Sequence, residues 1–371
     1  MTSHLPTRRG LLLGLAAAAT LGPTSLALAA GAGDRRFVVV ILRGALDGLA
    51  AVQPCGAPRC AELRGELALP EPGQEGGLRD LGGHFGLHPA MAQMHAMYAA
   101  NELAILHAVA GPYRTRSHFE GQDLLESGSD RRLTSGWLNR AVQGMADAGD
   151  ARAALAVGIE VPLLLRGPAH VGAYAPPAFT APQPDLYARL AALTQPDPVI
   201  GPAMAEGLRA RGFSAAVLNG EAAPEGPRIA ALELKGWDTH AYQAQRLAAP
   251  LRTLDEGLGA LRDALGPAWA GTAVLVMTEF GRTVRVNGTR GTDHGTDGVA
   301  FVAGGAIAGR RIAGDWPGLR DLHQDRDLMP ANDLRAVALA LLRDHLRLPT
   351  AARARAFPGA SVDPIPRLIR A

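Results

Sequence analysis

Continuous apolar runs alternate with amphipathic helical patterns along the chain. Five runs have the uninterrupted apolar character of buried strands, and they begin at Phe37, Leu103, Arg228, Gly271 and Gly298. Between the third and fourth runs, apolar residues recur every three or four positions from Ala244 to Leu265, which predicts one apolar helix face. Pro250 is expected to kink or break that helix, and a further helix is predicted after Asp333. Strands alternating with helices predict an α/β protein, a three-layer α/β/α sandwich with a mostly parallel central sheet.

The N-terminal segment, residues 1–30, has the organisation of an export signal. Arg8 and Arg9 precede an apolar run over residues 11–21, and small residues follow, as in a twin-arginine signal with its cleavage site. The alternative is a membrane anchor, but the run is short for a span and glycines interrupt it. We therefore expect the twin-arginine export machinery as a partner, a periplasmic or extracellular location without a stable membrane anchor, and a single domain over residues 31–371.

The composition is that of a globular protein with little net charge. The chain has 371 residues, 47% of them hydrophobic, which allows a sizeable core. Its 37 Lys and Arg residues exceed its 35 Asp and Glu residues by the two signal arginines alone. A near-neutral mature chain gives no reason to expect nucleic acid or an anionic membrane as a partner. Cys55 and Cys60 are spaced either for a small disulfide loop or as two free thiols.

Polar motifs follow the predicted strands or open helices, where α/β sheets bind their ligands. They contain Asp47 in RGALDG, Ser117 in YRTRSHFEGQ, Asp238 and His240 in GWDTHAYQ, Glu279 in VMTEFGRT, and Asp293 and His294 in GTRGTDHGTDG. Structural alternatives exist: Asp47 as a turn residue, Ser117 with Glu120 as a capping box, and Asp238 as an N-cap. Taken together, however, these seven residues have side chains of the kinds that bind metal ions in hydrolytic sites, and we predict all seven as metal ligands. Asp293 is alternatively a neighbour that orients His294.

The residues around Ser117 also suggest catalysis. A serine at a helix N-terminus lies among unpaired amides, where a phosphate or sulfate binds, and Arg114 and Arg116 add positive charge. We predict Ser117 as the nucleophile, with Arg114, Arg116 and His118 as further catalytic residues.

The motifs VVVILRGALDGL, YRTRSHFEGQD, WDTH, MTEFGRT, GTDHGT and RIAGDWPGL, in this order, resemble an exported family catalogued as domain of unknown function 1501. This family is grouped with the alkaline phosphatase and sulfatase-like superfamily, and the resemblance covers residues 35–348. It implies the α/β/α fold, Asp47 as a metal ligand, Ser117 as the nucleophile, and Asp238, His240 and His294 around one metal. Glu279 stands where the superfamily usually has an Asp-His pair, and Phe280 replaces the histidine. The resemblance thus implies one or two divalent ions (calcium, magnesium, manganese or zinc), of which the first three suit oxygen-rich ligands.

Two main functions follow from these residues, and a single-metal transferase or isomerase is a third possibility. The first is an exported metal-dependent hydrolase that cleaves small-molecule or glycan phosphate or sulfate esters with a serine nucleophile. The alternative is a non-catalytic exported binding or assembly factor that retains a degenerate metal site, which the missing Asp-His pair favours.

Overall fold

The computed structural model describes residues 35–145, 153–158, 160–174 and 227–370, so the predicted export signal lies outside the described residues. The strands are β1 (Arg36–Arg43), β2 (Val52–Gln53), β3 (Arg79–Asp80), β4 (Gly86–Leu87), β5 (Leu103–Ala110), β6 (Ala154–Val157), β7 (Gly172–Tyr174), β8 (Ile229–Lys235), β9 (Thr272–Thr278), β10 (Gly298–Ala303), β11 (Arg311–Ala313) and β12 (Asn332–Asp333). The α-helices are α1 (Gly48–Ala51), α2 (Cys60–Arg64), α3 (Ala92–Ala99), α4 (His118–Ser127), α5 (Trp137–Val142), α6 (Gln243–Leu265), α7 (Leu334–Ala340) and α8 (Thr350–Ala356). None of the helices in these described ranges is long and apolar enough to cross a bilayer.

One large sheet forms the centre of the fold. Its strand order is β11-β5-β10-β9-β1-β8-β6-β7, with β12 beside β5. Every neighbouring pair is parallel except those of β10, which runs antiparallel to both β5 and β9. All five predicted strands lie in this sheet, so the mostly parallel arrangement is confirmed. A small separate sheet joins β2, β4 and β3.

Helices cover both faces of the sheet. In β1, Phe37, Val39 and Ile41 belong to the core cluster that contains residues of α5, α7 and α8. The alternate residues Val38, Val40 and Leu42 belong to the cluster that contains residues of α3 and α6. Burial on both faces explains why this strand is continuously apolar, and it confirms the three-layer α/β/α prediction.

The helix predictions are mostly confirmed. The helix predicted after Asp333 is α7, and Asp333 caps it, because its side chain accepts a hydrogen bond from the backbone N–H of Arg335 at 2.8 Å. The predicted break at Pro250 is wrong, since α6 runs through it without interruption. Leu247 and Leu251, on either side of this proline, are buried in the same core cluster, and this packing holds the helix together. Cys55 and Cys60 are both free thiols.

The direction of β10 decides where the glycine-rich loop lies. β9 ends at Thr278 and β10 returns antiparallel from Gly298, so residues 279–297 stay at the carboxyl edge of β9. The carboxyl end of β5 reaches the same edge, because Val109 pairs with Gly298. The segments that follow β1, β5, β8 and β9 therefore meet at one edge of the sheet, as predicted.

Candidate metal centre

Three side chains from distant parts of the chain converge at this edge. His118 is the first residue of α4, Asp238 follows β8, and His294 lies in the loop before β10. Each offers one potential ligand atom, and these three atoms lie within 4.8 Å of one another. His240 joins them, because its Nε2 is 2.9 Å from Nε2 of His294 and 3.0 Å from Oδ1 of Asp238. These four residues are called the His–Asp cluster.

The backbone orients the ring of His294. Its Nδ1 lies 2.9 Å from the carbonyl oxygen of Arg116, which can only accept, so Nδ1 carries the proton and Nε2 keeps a lone pair. Arg116 has a left-handed φ of 63°, uncommon outside glycine. Burial lowers the pKa of His294, which favours the neutral ring. Its Nε2 is therefore available to a metal ion on the side of the cluster.

A buried carboxylate orients the ring of His118 in the same way. Nδ1 of His118 donates to Oε1 of Glu279 at 2.7 Å, and this hydrogen bond raises the pKa of His118. Burial acts to raise the pKa of Glu279, but its hydrogen bonds, that from His118 foremost, lower it overall. Nε2 of His118 is buried, has no hydrogen-bond partner among the described residues, and lies 3.6 Å from Oδ2 of Asp238. An unpartnered ring nitrogen that faces a carboxylate fits a metal ligand.

Asp238 supplies the negative charge of the cluster. Its Oδ1 accepts a hydrogen bond of 2.6 Å from Nη1 of Arg282, whose side chain is fully buried. Burial acts to raise the pKa of Asp238, but the hydrogen bond and charge of Arg282 lower it overall. Asp238 is therefore ionised at neutral pH. Arg282 is itself held by the hydroxyl and carbonyl oxygens of Thr292.

Asp47, a predicted ligand, is not brought to the cluster. Its side chain is buried and caps α1 by accepting from the N–H of Ala50 at 3.1 Å. Its other oxygen accepts from Nη2 of Arg64 and from Nε2 of Gln243, both at 2.6 Å. With both oxygens engaged in this way, Asp47 stabilises the fold instead of facing the three converging ligand atoms.

Glu279 and Asp293, two other predicted ligands, each contact one histidine of the cluster. Oε1 of Glu279 binds His118 as described and also accepts from the N–H of Gly44 at 2.9 Å. Oδ1 of Asp293 lies 3.3 Å from Nδ1 of His240, so Asp293 orients His240 and not His294. The hydrogen bond from the amide of Asn287 lowers the pKa of Asp293. Both carboxylates hold ring nitrogens that face away from the centre of the cluster.

Ser117 occupies the predicted position, but the capping box with Glu120 is wrong. Ser117 precedes α4 as its N-cap residue, yet its side chain makes no capping hydrogen bond. Instead, the N–H of Ser117 donates to the hydroxyl of Tyr113 at 2.5 Å, and that hydroxyl donates to the carbonyl of Ser117 at 2.9 Å. Tyr113 thus replaces the box, and within the described ranges the Ser117 hydroxyl has no hydrogen-bond partner.

The structure does not bring the guanidinium groups of Arg114 and Arg116 together at the cluster as an anion clamp. Arg114 donates to the carbonyl oxygens of its own turn, including that of Tyr113 at 2.7 Å. Arg116 forms an ion pair of 2.6 Å with the buried Asp327. The cation that does contact the cluster, Arg282, is not predicted from the sequence, although it lies three positions after Glu279 in the same motif. His118 is predicted as catalytic, whereas its Nε2 is one of the three converging ligand atoms.

Comparisons with known proteins bear on the predicted resemblance. The model of a family described as a protein of unknown function, DUF1501, matches residues 203–368, which confirms the resemblance for this part of the chain. No curated protein shows a significant match. A solved structure of a protein in the alkaline phosphatase superfamily from Vibrio parahaemolyticus is similar at 11% identity and a TM-score of 0.37, over 83% of this chain and 71% of that chain. The lipoteichoic acid synthase LtaP from Listeria monocytogenes is similar at 9% identity and a TM-score of 0.36, over 90% and 78% respectively. The function is therefore inferred from the His–Asp cluster itself.

Proposed function

We propose that this protein is a metal-dependent hydrolase of phosphate or sulfate esters, in which the His–Asp cluster binds a divalent ion and Ser117 is the nucleophile. One observation carries the proposal. The Nδ1 contacts of His118 and His294 turn both Nε2 atoms towards the carboxylate of Asp238. Two ring nitrogens held by partners on their far side, together with an ionised carboxylate, match the way proteins hold divalent metals.

The donor atoms of the cluster favour a particular kind of ion. Three imidazoles and one carboxylate suit zinc, and manganese less well, whereas calcium and magnesium take oxygen ligands almost exclusively. This differs from the expectation of an oxygen-rich set, because Asp47 and Glu279 have other partners. The residues of the cluster fit one ion better than two.

We propose that Ser117 attacks an ester bound beside the cluster. It directly precedes His118, and the amides in the first turn of the ten-residue α4 can donate to the ester oxygens. A bound divalent ion would supply Lewis-acid chemistry that lowers the pKa of a nearby hydroxyl and offsets charge on the ester. The Ser117 oxygen would bond to phosphorus or sulfur as the bond to the alcohol oxygen breaks. The hydroxyl proton passes to solvent, the alcohol oxygen takes a proton from water, and a water molecule then hydrolyses the serine ester.

Substitution of Ser117 tests the nucleophile. Ser117→Ala should lower turnover of aryl phosphates, phosphodiesters or aryl sulfates by roughly a thousandfold or more. Metal content, measured by elemental analysis, should be unchanged, because the three converging ligand atoms remain. Ser361→Ala, which changes an exposed serine near the C-terminus, is the matched control and should behave like the parent. A Ser117→Ala variant with the parent's activity would show that another group attacks.

The alternative, a non-catalytic binding or assembly factor, is favoured by one observation. Asp47 and Glu279, which the resemblance assigns to metal binding, are both engaged in contacts with protein groups. Elemental analysis and melting curves separate the two functions. Purified protein without metal, and without a rise in melting temperature on adding zinc or manganese, would favour the alternative. Export by the twin-arginine route to the periplasm or extracellular space is part of either proposal.

A further inference from the structure

An exposed aromatic side chain follows the proposed nucleophile by two positions in the chain. Phe119 follows His118 in α4, and it is 86% exposed. The exposed large hydrophobic residues in the described ranges are Phe119, Tyr242 and Met329, and Phe119 is the most exposed of them. A phenylalanine held in water contributes nothing to the core, and its ring faces are open to contact with a bound ligand.

Phe119 lies between two open depressions of the surface. The first has a volume of about 510 Å³, and its lining carries four basic and four acidic side chains, among them Arg43, Arg166, Glu160 and Glu233. The second has a volume of about 530 Å³, and its charged lining includes Arg114, Glu120, Asp123, Asp130, Arg131 and Arg132. Each is within the range of roughly 300–1,000 Å³ that is typical of ligand sites. Phe119 lines both, so one ring separates two surfaces that carry hydrogen-bond donors and acceptors in similar numbers.

Helix α4 connects these depressions to the metal centre. Gln122, one turn after Phe119, lines the first depression and donates its amide to Oε1 of Glu279 at 3.1 Å. The same oxygen orients His118. Ser117 and Phe119 are separated by one residue at the start of α4, so we place the alcohol part of an ester bound at Ser117 over Phe119 and next to Gln122.

We propose that Phe119 stacks on a sugar ring, and that the substrates are phosphate or sulfate esters of sugars or glycans. This inference rests on the proposed function, because the reacting ester is placed at Ser117. A sugar ring has an apolar C–H face and an edge of hydroxyl groups that both donate and accept. The face matches the exposed phenylalanine, and the edge matches arginines interspersed with carboxylates, whereas a polyanion would need an all-basic lining.

Kinetics on matched esters test the role of Phe119. The substrates are glucose and N-acetylglucosamine carrying one phosphate or sulfate, glycerol phosphate as the ringless ester, and adenosine monophosphate as the nucleoside ester. Phe119→Ala should raise KM for the sugar esters by roughly tenfold, while kcat and the kinetics on glycerol phosphate stay within about twofold. Met329→Ala removes another exposed hydrophobic side chain that lines neither depression, and it should leave all constants unchanged.

The same esters also distinguish failure of this inference from failure of the hydrolase proposal. If aryl esters are turned over but none of these esters is, the hydrolase proposal stands and the sugar inference is overturned. If neither group is turned over, the hydrolase proposal fails, and equilibrium binding of the sugar esters by calorimetry decides on Phe119. Tighter binding by the parent than by the Phe119→Ala protein would then support the stacking role. The inference would be overturned by equal kinetic or binding constants for the parent and the Phe119→Ala protein. It would also be overturned if no sugar ester bound, or if Phe119→Ala weakened the binding of adenosine monophosphate alone.

Discussion

Substitution of Asp47 tests whether this carboxylate stabilises the fold or binds a metal ion. Asp47 and Arg64 form an ion pair of 2.6 Å, with side chains only 1% and 0% exposed. Asp47→Asn keeps the shape of the side chain but leaves the Arg64 guanidinium without a counter-ion. If Asp47 serves the fold, this change should destabilise the protein without removing the metal.

The expected loss of stability follows from the burial of both charges. Removing one partner of a fully buried ion pair typically costs about 3–5 kcal/mol, because the remaining charge has lost both water and its partner. Arg64→Met should cost a similar amount, since Asp47 is then the unpaired charge. The double variant carries neither charge and should recover part of the loss. Recovery will be partial, because Arg64 also donates to the carbonyl of Val284 at 3.0 Å.

Urea denaturation of the parent, the two single variants and the double variant measures these differences, and elemental analysis measures the metal in each folded protein. Asp47→Asn should retain the parent's metal content below its unfolding transition. The assignment of Asp47 to the fold would be refuted by an Asp47→Asn protein that unfolds at the parent's urea concentration but has lost its metal.

Two further predictions concern stability. Burial lowers the pKa of both His107 and His345 to about 4, from an ordinary value of 6.5, so both are neutral in the fold and take up protons on unfolding. The free energy of unfolding should therefore be highest above pH 6.5 and fall as the pH is lowered towards 4, by up to about 3 kcal/mol per histidine. Urea denaturation across this range should show a weaker pH dependence for His345→Gln than for the parent. The same pH dependence in both proteins would contradict a neutral, buried His345. A side chain at Gly281 would place its Cβ 1.6 Å from the carbonyl oxygen of Asp297, whereas a Cβ at Gly288 would meet nothing within 4 Å. Gly281→Ala should therefore cost about 3 kcal/mol in urea denaturation and Gly288→Ala less than about 0.5 kcal/mol, and equal stabilities would mean that the loop rearranges freely.

The main strands could be predicted from the sequence, because a strand that is buried on both faces is apolar at nearly every position. The run Leu103–Ala110 is a strand over its whole length, with every residue buried. The orientation of β10 was not predictable, since a continuous apolar run carries no information about direction. Short edge strands such as Gly172–Tyr174 were also missed, because three residues are too few to show a pattern.

Only part of the candidate site could be predicted from the sequence. His118, Asp238 and His294 follow strands or open a helix, and such positions converge in any sheet of this kind. The partners of Asp47 could not be inferred, because Arg64 and Gln243 have no motif that marks them as its partners. A carboxylate at a strand end is equally suited to bind a metal or a buried arginine, and only the tertiary contacts decide between them.

The packing of Phe280 supports the proposal of a single ion at the cluster. The resemblance places a histidine at this position in related proteins, whereas the ring of Phe280 is buried and packs against His118 and His294, with ring centroids 4.9 and 5.2 Å apart. A second ion on this side would meet an aromatic face instead of a ligand atom. The neighbouring Glu279 is likewise turned to Nδ1 of His118. The two residues that depart from the superfamily pattern thus orient and pack the histidines of one centre, which is why a single-metal mechanism fits this chain better than a two-metal one.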